Sequence, residues 1–261
     1  IKGEARTLSF RSVVLERAHQ FQGVLMLMGA RNWDEFREAL RLWFAPSQNF
    51  AYADTDGNIG YHLAGLVPVR AKGHGVLPVP GWTGEYEWTG WVPFDELPSV
   101  FNPPTNWVAT ANNKIVDDDY PHFLSAHWID GFRQERIIEM LGEKKKLSVD
   151  DFRRMQGDLL SIPARQLVPR ILELEPKDEW CRRALTFLRA WDYVVAADSV
   201  AACVFEVCYT HLVRKALEEK IGSWSDFYVG RGIHPLRANG SFFAESASWL
   251  LGKMRDKKKW F

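Results

Sequence analysis

Gln48-Asn49-Phe50-Ala51-Tyr52-Ala53-Asp54-Thr55-Asp56-Gly57-Asn58-Ile59-Gly60-Tyr61 is the stretch on which the reading of the fold turns. Phe50 to Ala53 and Ile59 to Tyr61 are strand-like. Asp56-Gly57 between them is a strong two-residue turn signal, so residues 49–61 read as a β-hairpin. The run Asp54 to Asn58 also has the oxygen-rich look of a calcium loop. It lacks the later ligands and the distal Glu of such a loop, which argues against calcium there. Just upstream, Asn32-Trp33-Asp34-Glu35 is a helix start: Asn32 caps, Glu35 follows three residues on, and Phe36, Leu40, Trp43 and Phe44 share a helical face.

Downstream the pattern changes twice. Residues 63–105 are rich in glycine, proline and tryptophan. Leu77-Pro78-Val79-Pro80-Gly81-Trp82 must be extended or turning, because its prolines forbid helix. Trp82, Trp88 and Trp91 follow closely; such residues either grip a ring or sugar, or pin a long loop onto its own core. After Arg133 the period becomes helical. Ile137, Ile138 and Leu141 form one turn set, and Ser148-Val149-Asp150-Asp151 caps a helix that leads into Phe152, Met155 and Leu159. Glu179 to Trp191 and Val200 to Lys220 read as further helices, the second ended by Gly222. The expected fold class is therefore α+β, with sheet and long loops in residues 1–131 and a mainly helical second half in 132–261.

Composition narrows the function. The 261 residues hold 33 Lys+Arg against 33 Asp+Glu, and this balance argues against a dedicated nucleic-acid binder. With 46% hydrophobic residues the chain is no disordered tail. No apolar run approaches the roughly 18 residues of a membrane span. Cys181, Cys203 and Cys208 make neither a disulfide framework nor a zinc pair, and are expected as small buried hydrophobes on helices. Lys144-Lys145-Lys146 and Lys257-Lys258-Lys259 read as solvated surface. Twelve tryptophans suggest aromatic-rich packing or a site for a ring.

Familiar catalytic patterns are missing. There is no GxSxG elbow, no HExxH, no phosphate loop and no carboxylate pair with glycosidase spacing. His122 and His127 lie five apart, which puts them on different helical faces and disfavours a shared metal.

Several ordered blocks are more specific. Gln48 to Asp54 with Gly57 to Tyr61, Leu77-Pro78-Val79-Pro80-Gly81, Trp88-Thr89-Gly90-Trp91-Val92-Pro93-Phe94, Asn102-Pro103, Ala109-Thr110-Ala111-Asn112-Asn113, Asp119-Tyr120-Pro121, Gly131-Phe132-Arg133 and Arg136-Ile137 resemble, in order and spacing, the penicillin acylase family of N-terminal-nucleophile hydrolases. The resemblance is strong over about residues 30–195 and weaker afterwards.

The resemblance implies part of a four-layer αββα sandwich and an amidohydrolase that cleaves a linear amide, such as the acyl side chain of a β-lactam or a related N-acyl compound. The nucleophile would be an amino-terminal serine whose own α-amine, with a pKa near 8, serves as base; no histidine is needed. Asn112 would donate its side-chain N–H to the oxyanion, and Arg136, with Arg133 as the competing candidate, would support the site. A turn is the structural account of Asn112-Asn113, and a salt bridge that of either arginine. No cofactor is needed for the chemistry; a structural calcium is implied for the parent enzyme, without ligands assignable here. Its partners would be a small-molecule acyl amide and the remaining segments of the same precursor, and its compartment periplasmic or extracellular.

The nucleophile itself is not found. Residue 1 is Ile1, and Gly240-Ser241 lies downstream of Asn112, where a Gly-Ser turn is the better account. The expectation is an internal fragment of the large chain, inert alone, whose unpaired sheet edges invite pairing. Its rivals are a non-catalytic homologue that kept the fold and a tryptophan-rich ligand-binding module.

Overall fold

The computed structural model describes residues 7–16, 20–230 and 246–255. Two compact units are present. One comprises residues up to 110 together with 114–127; the other comprises 111–113 and the chain from 128 onward.

In the first unit, α1 (Gln20–Gly29) precedes α2 (Trp33–Leu40). Asn32 caps α2 as its sequence indicates: the Asn32 side-chain oxygen accepts from the Glu35 N–H at 2.9 Å, and the Glu35 carboxylate accepts from the Arg31 N–H. The helix ends at Leu40, so Trp43 and Phe44 lie beyond it rather than on its face. The hairpin is present. β1 (Gln48–Ala53) and β2 (Ile59–Ala64) pair antiparallel, with Gln48 opposite Ala64 and Ala53 opposite Ile59.

Its turn is longer than Asp56-Gly57. Asp54 organises residues 54–58: its carboxylate accepts from the Asp56 and Asn58 backbone N–H groups, from Asn58 Nδ2 and from the Tyr52 hydroxyl. These bonds, led by that from Asn58, hold the Asp54 carboxyl below its ordinary range.

β2 is the middle strand of a three-stranded sheet, flanked by β1 and by a strand that returns from distant sequence. The remaining strands are β3 (Pro68–Arg70), β4 (Trp88–Trp91) and β5 (Ser99–Phe101). β5 pairs antiparallel with β2, and β3 with β4. Gly60 on β2 is required by packing: a Cβ there would lie 2.5 Å from the Trp33 ring. Trp33 in turn stacks on Phe36 and Phe101, and Phe36, Leu40 and Ala64 form the α2–sheet core. A second cluster joins Leu63, Val67, Val92 and Leu97.

The second unit is helical: α3 (Phe132–Leu141), α4 (Val149–Gln156), α5 (Ile162–Ile171), α6 (Glu179–Arg189), α7 (Val200–Ile221), α8 (Ser225–Val229) and α9 (Ser246–Arg255). Ser148 and Asp151 form a reciprocal capping box at α4, and Gly222, with φ 55°, ends α7. The α4 turn set is less buried than expected, since Phe152 and Leu159 are exposed.

The core of this unit centres on Phe205, with Leu167, Val168, Leu188, Trp191, Val213 and Leu250 around it. The phase of α7 explains Cys203. The helix's buried residues Ala202, Phe205, Tyr209, Val213, Ala216 and Leu217 follow the helical period, and Cys203 falls outside that stripe. Cys181 and Cys203 are exposed and Cys208 only half-buried, which corrects the expectation of three buried thiols. Among the described residues no helix is long and apolar enough to cross a membrane.

Candidate active site

Asn112 sits at a sharp bend in the segment that the sequence marks as chemical. Its φ is 63°, the left-handed region in which asparagine is among the better tolerated residues. The bend is held by polar bonds. The Asn113 side-chain oxygen accepts from the Ala111 N–H at 3.0 Å, and the Asn112 carbonyl accepts from the Ile129 N–H at 3.1 Å. Asn113 is buried, whereas Asn112 presents its side chain outward. The residue before the bend is anchored too: Asn49 Nδ2 donates to Thr110 Oγ1 at 3.2 Å, and the Tyr61 hydroxyl donates to Asn49 Oδ1 at 2.6 Å. Turn and site are thus the same feature.

Arg133, near the start of α3, reaches this bend. One guanidinium nitrogen, Nη2, donates to the Ala111 carbonyl at 2.6 Å and to Asn112 Oδ1 at 2.7 Å. An arginine only donates, so the side-chain oxygen of Asn112 must face it and the Nδ2 amide protons must face away. Among the described residues Nδ2 has no acceptor. A charge-assisted bond on the oxygen also draws electron density from the amide and strengthens its N–H donors. Both acceptors are neutral, so the positive charge is not cancelled locally.

Arg136 is engaged elsewhere. Its Nε and Nη2 donate to the two oxygens of Asp158, each at 2.8 Å, and Nη1 donates to Glu139 at 3.1 Å. Arg165 binds Glu139 as well. Hydrogen bonding to Asp158 raises the Arg136 pKa, and the Asp158 carboxyl is lowered by the same bond. The structure therefore does not bring Arg136 to Asn112. That contact belongs to Arg133, because a fork of two carboxylate oxygens holds Arg136 more strongly than a lone carbonyl.

Other candidates are dispersed. Trp82 is 89% exposed and pins nothing. Trp88 and Trp91 pack edge to face at 5.4 Å, with the Arg11 guanidinium over Trp88. His122 bonds Glu96 at 2.6 Å, on a segment that is not helical. Lys144, Lys145 and Lys146 are exposed, as expected of solvated surface, and Lys144 also binds Asp151 at 2.5 Å. Ile1, Gly240-Ser241 and Lys257-Lys258-Lys259 lie outside the described residues.

Among the described residues no three His, Cys, Asp or Glu side chains converge, and the Asp54 carboxylate is saturated by protein donors. The Tyr61–Asn49–Thr110 relay escaped the sequence reading. Its local signal is the polar pair Gln48-Asn49 opening a strand that continues Phe50-Ala51-Tyr52-Ala53.

The arrangement offers a polarised amide donor with an uncompensated cation behind it, the elements that stabilise a developing oxyanion. The chain is 35% identical over 225 residues to penicillin acylase 2 proenzyme of Pseudomonas sp. (strain SE83), a match covering 84% of this chain and 29% of that protein. It is 28% identical over 267 residues to acyl-homoserine lactone acylase QuiP of Pseudomonas aeruginosa, covering 94% and 30%. The chain thus spans about 30% of the length of these relatives. Among solved structures, thermostable penicillin G acylase from Alcaligenes faecalis in orthorhombic form matches with a TM-score of 0.67 at 24% identity, over 92% of this chain and 47% of that one. The α+β fold of the chain is therefore that of the matched part of this penicillin G acylase. The Penicillin amidase family profile matches residues 1–261, and the chain belongs to that family.

Proposed function

We propose that these residues form the oxyanion-stabilising part of an amidohydrolase that cleaves linear amides of the N-acyl type. The observation that carries this reading is the Arg133–Asn112 bond, which turns Nδ2 outward from a bend held by the Asn113 side chain.

The attacking group is an amino-terminal serine supplied by a segment outside these 261 residues. Its hydroxyl proton passes to its own α-amine as oxygen attacks the amide carbon. The carbonyl π pair moves to oxygen, and the resulting oxyanion accepts from Asn112 Nδ2. Collapse expels the amine, which takes the proton back from the ammonium group and leaves an acyl ester. Water then repeats the sequence and frees the acid.

A relative named penicillin acylase and another named acyl-homoserine lactone acylase define two acyl-amide classes to try. The test assays the processed gene product that contains these residues against a chromogenic phenylacetyl amide and a long-chain acyl-homoserine lactone. Turnover of at least one is expected, and none from the 261-residue chain alone. No turnover by the processed product on any N-acyl amide marks a non-catalytic homologue. Turnover by the isolated chain removes the separate nucleophile.

A further inference from the structure

The first unit contains a cleft of about 370 Å³ that the amidase reading does not use. It is bounded by β3, by residues His74–Gly75–Val76 and by residues 123–127. Its volume lies in the range of small-molecule sites. The floor is apolar: Val67 is buried, and Leu124 packs against the same small cluster. One wall is aromatic, with the His74 ring stacked on Phe123 at a centroid distance of 4.1 Å and 27° between planes.

Arg70 is the single Lys, Arg, Asp or Glu residue lining the cleft. Among the described residues it makes no hydrogen bond and no ion pair; its recorded contact is the Trp88 ring at 5.8 Å. Glu85 pairs with Lys72, and Glu16 and Glu87 pair with Arg11.

Two backbone features put Arg70 there. The β3–β4 register shifts between Val69 and Arg70, which re-aims the side chain. Gly75, at φ 67°, lies under the guanidinium; a Cβ on it would come within 2.9 Å of Arg70 Nε and 3.0 Å of Nη2. The rim is closed by Ser125, whose hydroxyl donates to the His127 carbonyl and accepts from the His127 N–H.

A cation without a counter-charge, set beside an apolar floor and a ring wall, matches a molecule with a carboxylate at one end and an apolar body at the other. We propose that this cleft binds a small aryl or alkyl carboxylate, the acid group on Arg70 and the body between the His74–Phe123 wall and the Val67–Leu124 floor. The site is independent of Asn112 and of the amidase reading.

Titration of the 261-residue chain with benzoate, followed by calorimetry, tests it, with benzamide and acetate as controls. Saturable benzoate binding is expected, at least about tenfold tighter than either control, since the first lacks the charge and the second the body. Arg70→Gln is expected to weaken benzoate at least about tenfold. Gly75→Ala, which keeps the charge but displaces the guanidinium, is expected to weaken it as well. Asn112→Ala leaves it unchanged. Equal affinity for benzoate and benzamide, equal affinity for benzoate and acetate, no saturable binding, or full affinity in a folded Arg70→Gln variant overturns the proposal; unchanged far-ultraviolet circular dichroism establishes that the variants are folded.

Discussion

Arg133 and Arg136 leave α3 three residues apart, yet their surroundings differ in kind. Arg133 donates to two neutral oxygens, the Ala111 carbonyl and Asn112 Oδ1. Arg136 donates to the carboxylates of Asp158 and Glu139, and Arg165 completes that network. A guanidinium between carboxylates is electrically closed: its charge is spent on structure, and its field fades within a few ångströms. A guanidinium on carbonyls keeps its charge and lends it to whatever the polarised amide faces. The difference separates an arginine that shapes a helix from one able to serve a reaction.

The comparison breaks first at Asn112. In the processed enzyme, Asn112→Ala is expected to lower kcat by about 10²–10³ with little change in KM, because the donor acts on charge that exists only in the transition state. Steady-state kinetics at saturating substrate checks this. Wild-type kcat in that variant would leave Arg133 holding an amide that does no chemistry.

A side chain without hydrogen bonds sharpens the contrast. His62 on β2 is fully buried, and among the described residues neither ring nitrogen has a hydrogen bond. Its ring lies 4.3 Å from Phe94, and the Arg41 and Arg37 guanidinium groups lie over that same phenyl ring. Burial first, then the charge of Arg37, lowers its pKa from 6.5 to about 4; Asp95 opposes this and Arg41 adds to it. A lowered histidine stays neutral in the fold while the unfolded chain takes up its proton. Stability is thus complete above about pH 6.5 and falls as the pH drops from there toward 4, by roughly 3 kcal/mol if the whole shift is realised. Urea unfolding at pH 7 and pH 5 measures the decline, and His62→Leu is expected to flatten it. An equal pH slope in wild type and variant would remove His62 as its source.

What could be read in the sequence follows the range of each interaction. The Asn32 cap, the Ser148–Asp151 box and the 49–61 hairpin rest on residues within a few positions of one another, and all three are present. The bend at Asn112-Asn113 was visible for the same reason. The choice between Arg133 and Arg136 was not, because it depends on Asp158, 22 residues beyond Arg136, arriving to claim it. The pairing of β5 with β2 likewise joins positions about forty residues apart, with β3 and β4 between them, and no local pattern announces it. The exposure of Cys203 is not legible in residue type, since helical phase decides which side of α7 is buried.

The finest test sets the two arginines against each other by the same substitution. Arg133→Met removes a charge that has no carboxylate partner, so kcat is expected to fall by about tenfold or more while stability changes by less than about 0.5 kcal/mol. Arg136→Met leaves Asp158 and Glu139 facing each other with only Arg165 between them. Its expected signature is the reverse: about 1–2 kcal/mol of lost stability, discounted for partial exposure of the pair, and kcat within about threefold of wild type. Thermal melts and kinetics on both variants give a two-by-two outcome. If Arg136→Met lowered kcat as much as Arg133→Met did, the carboxylate-bound arginine would be felt at the site after all. The distinction between a closed and an open guanidinium would then fail.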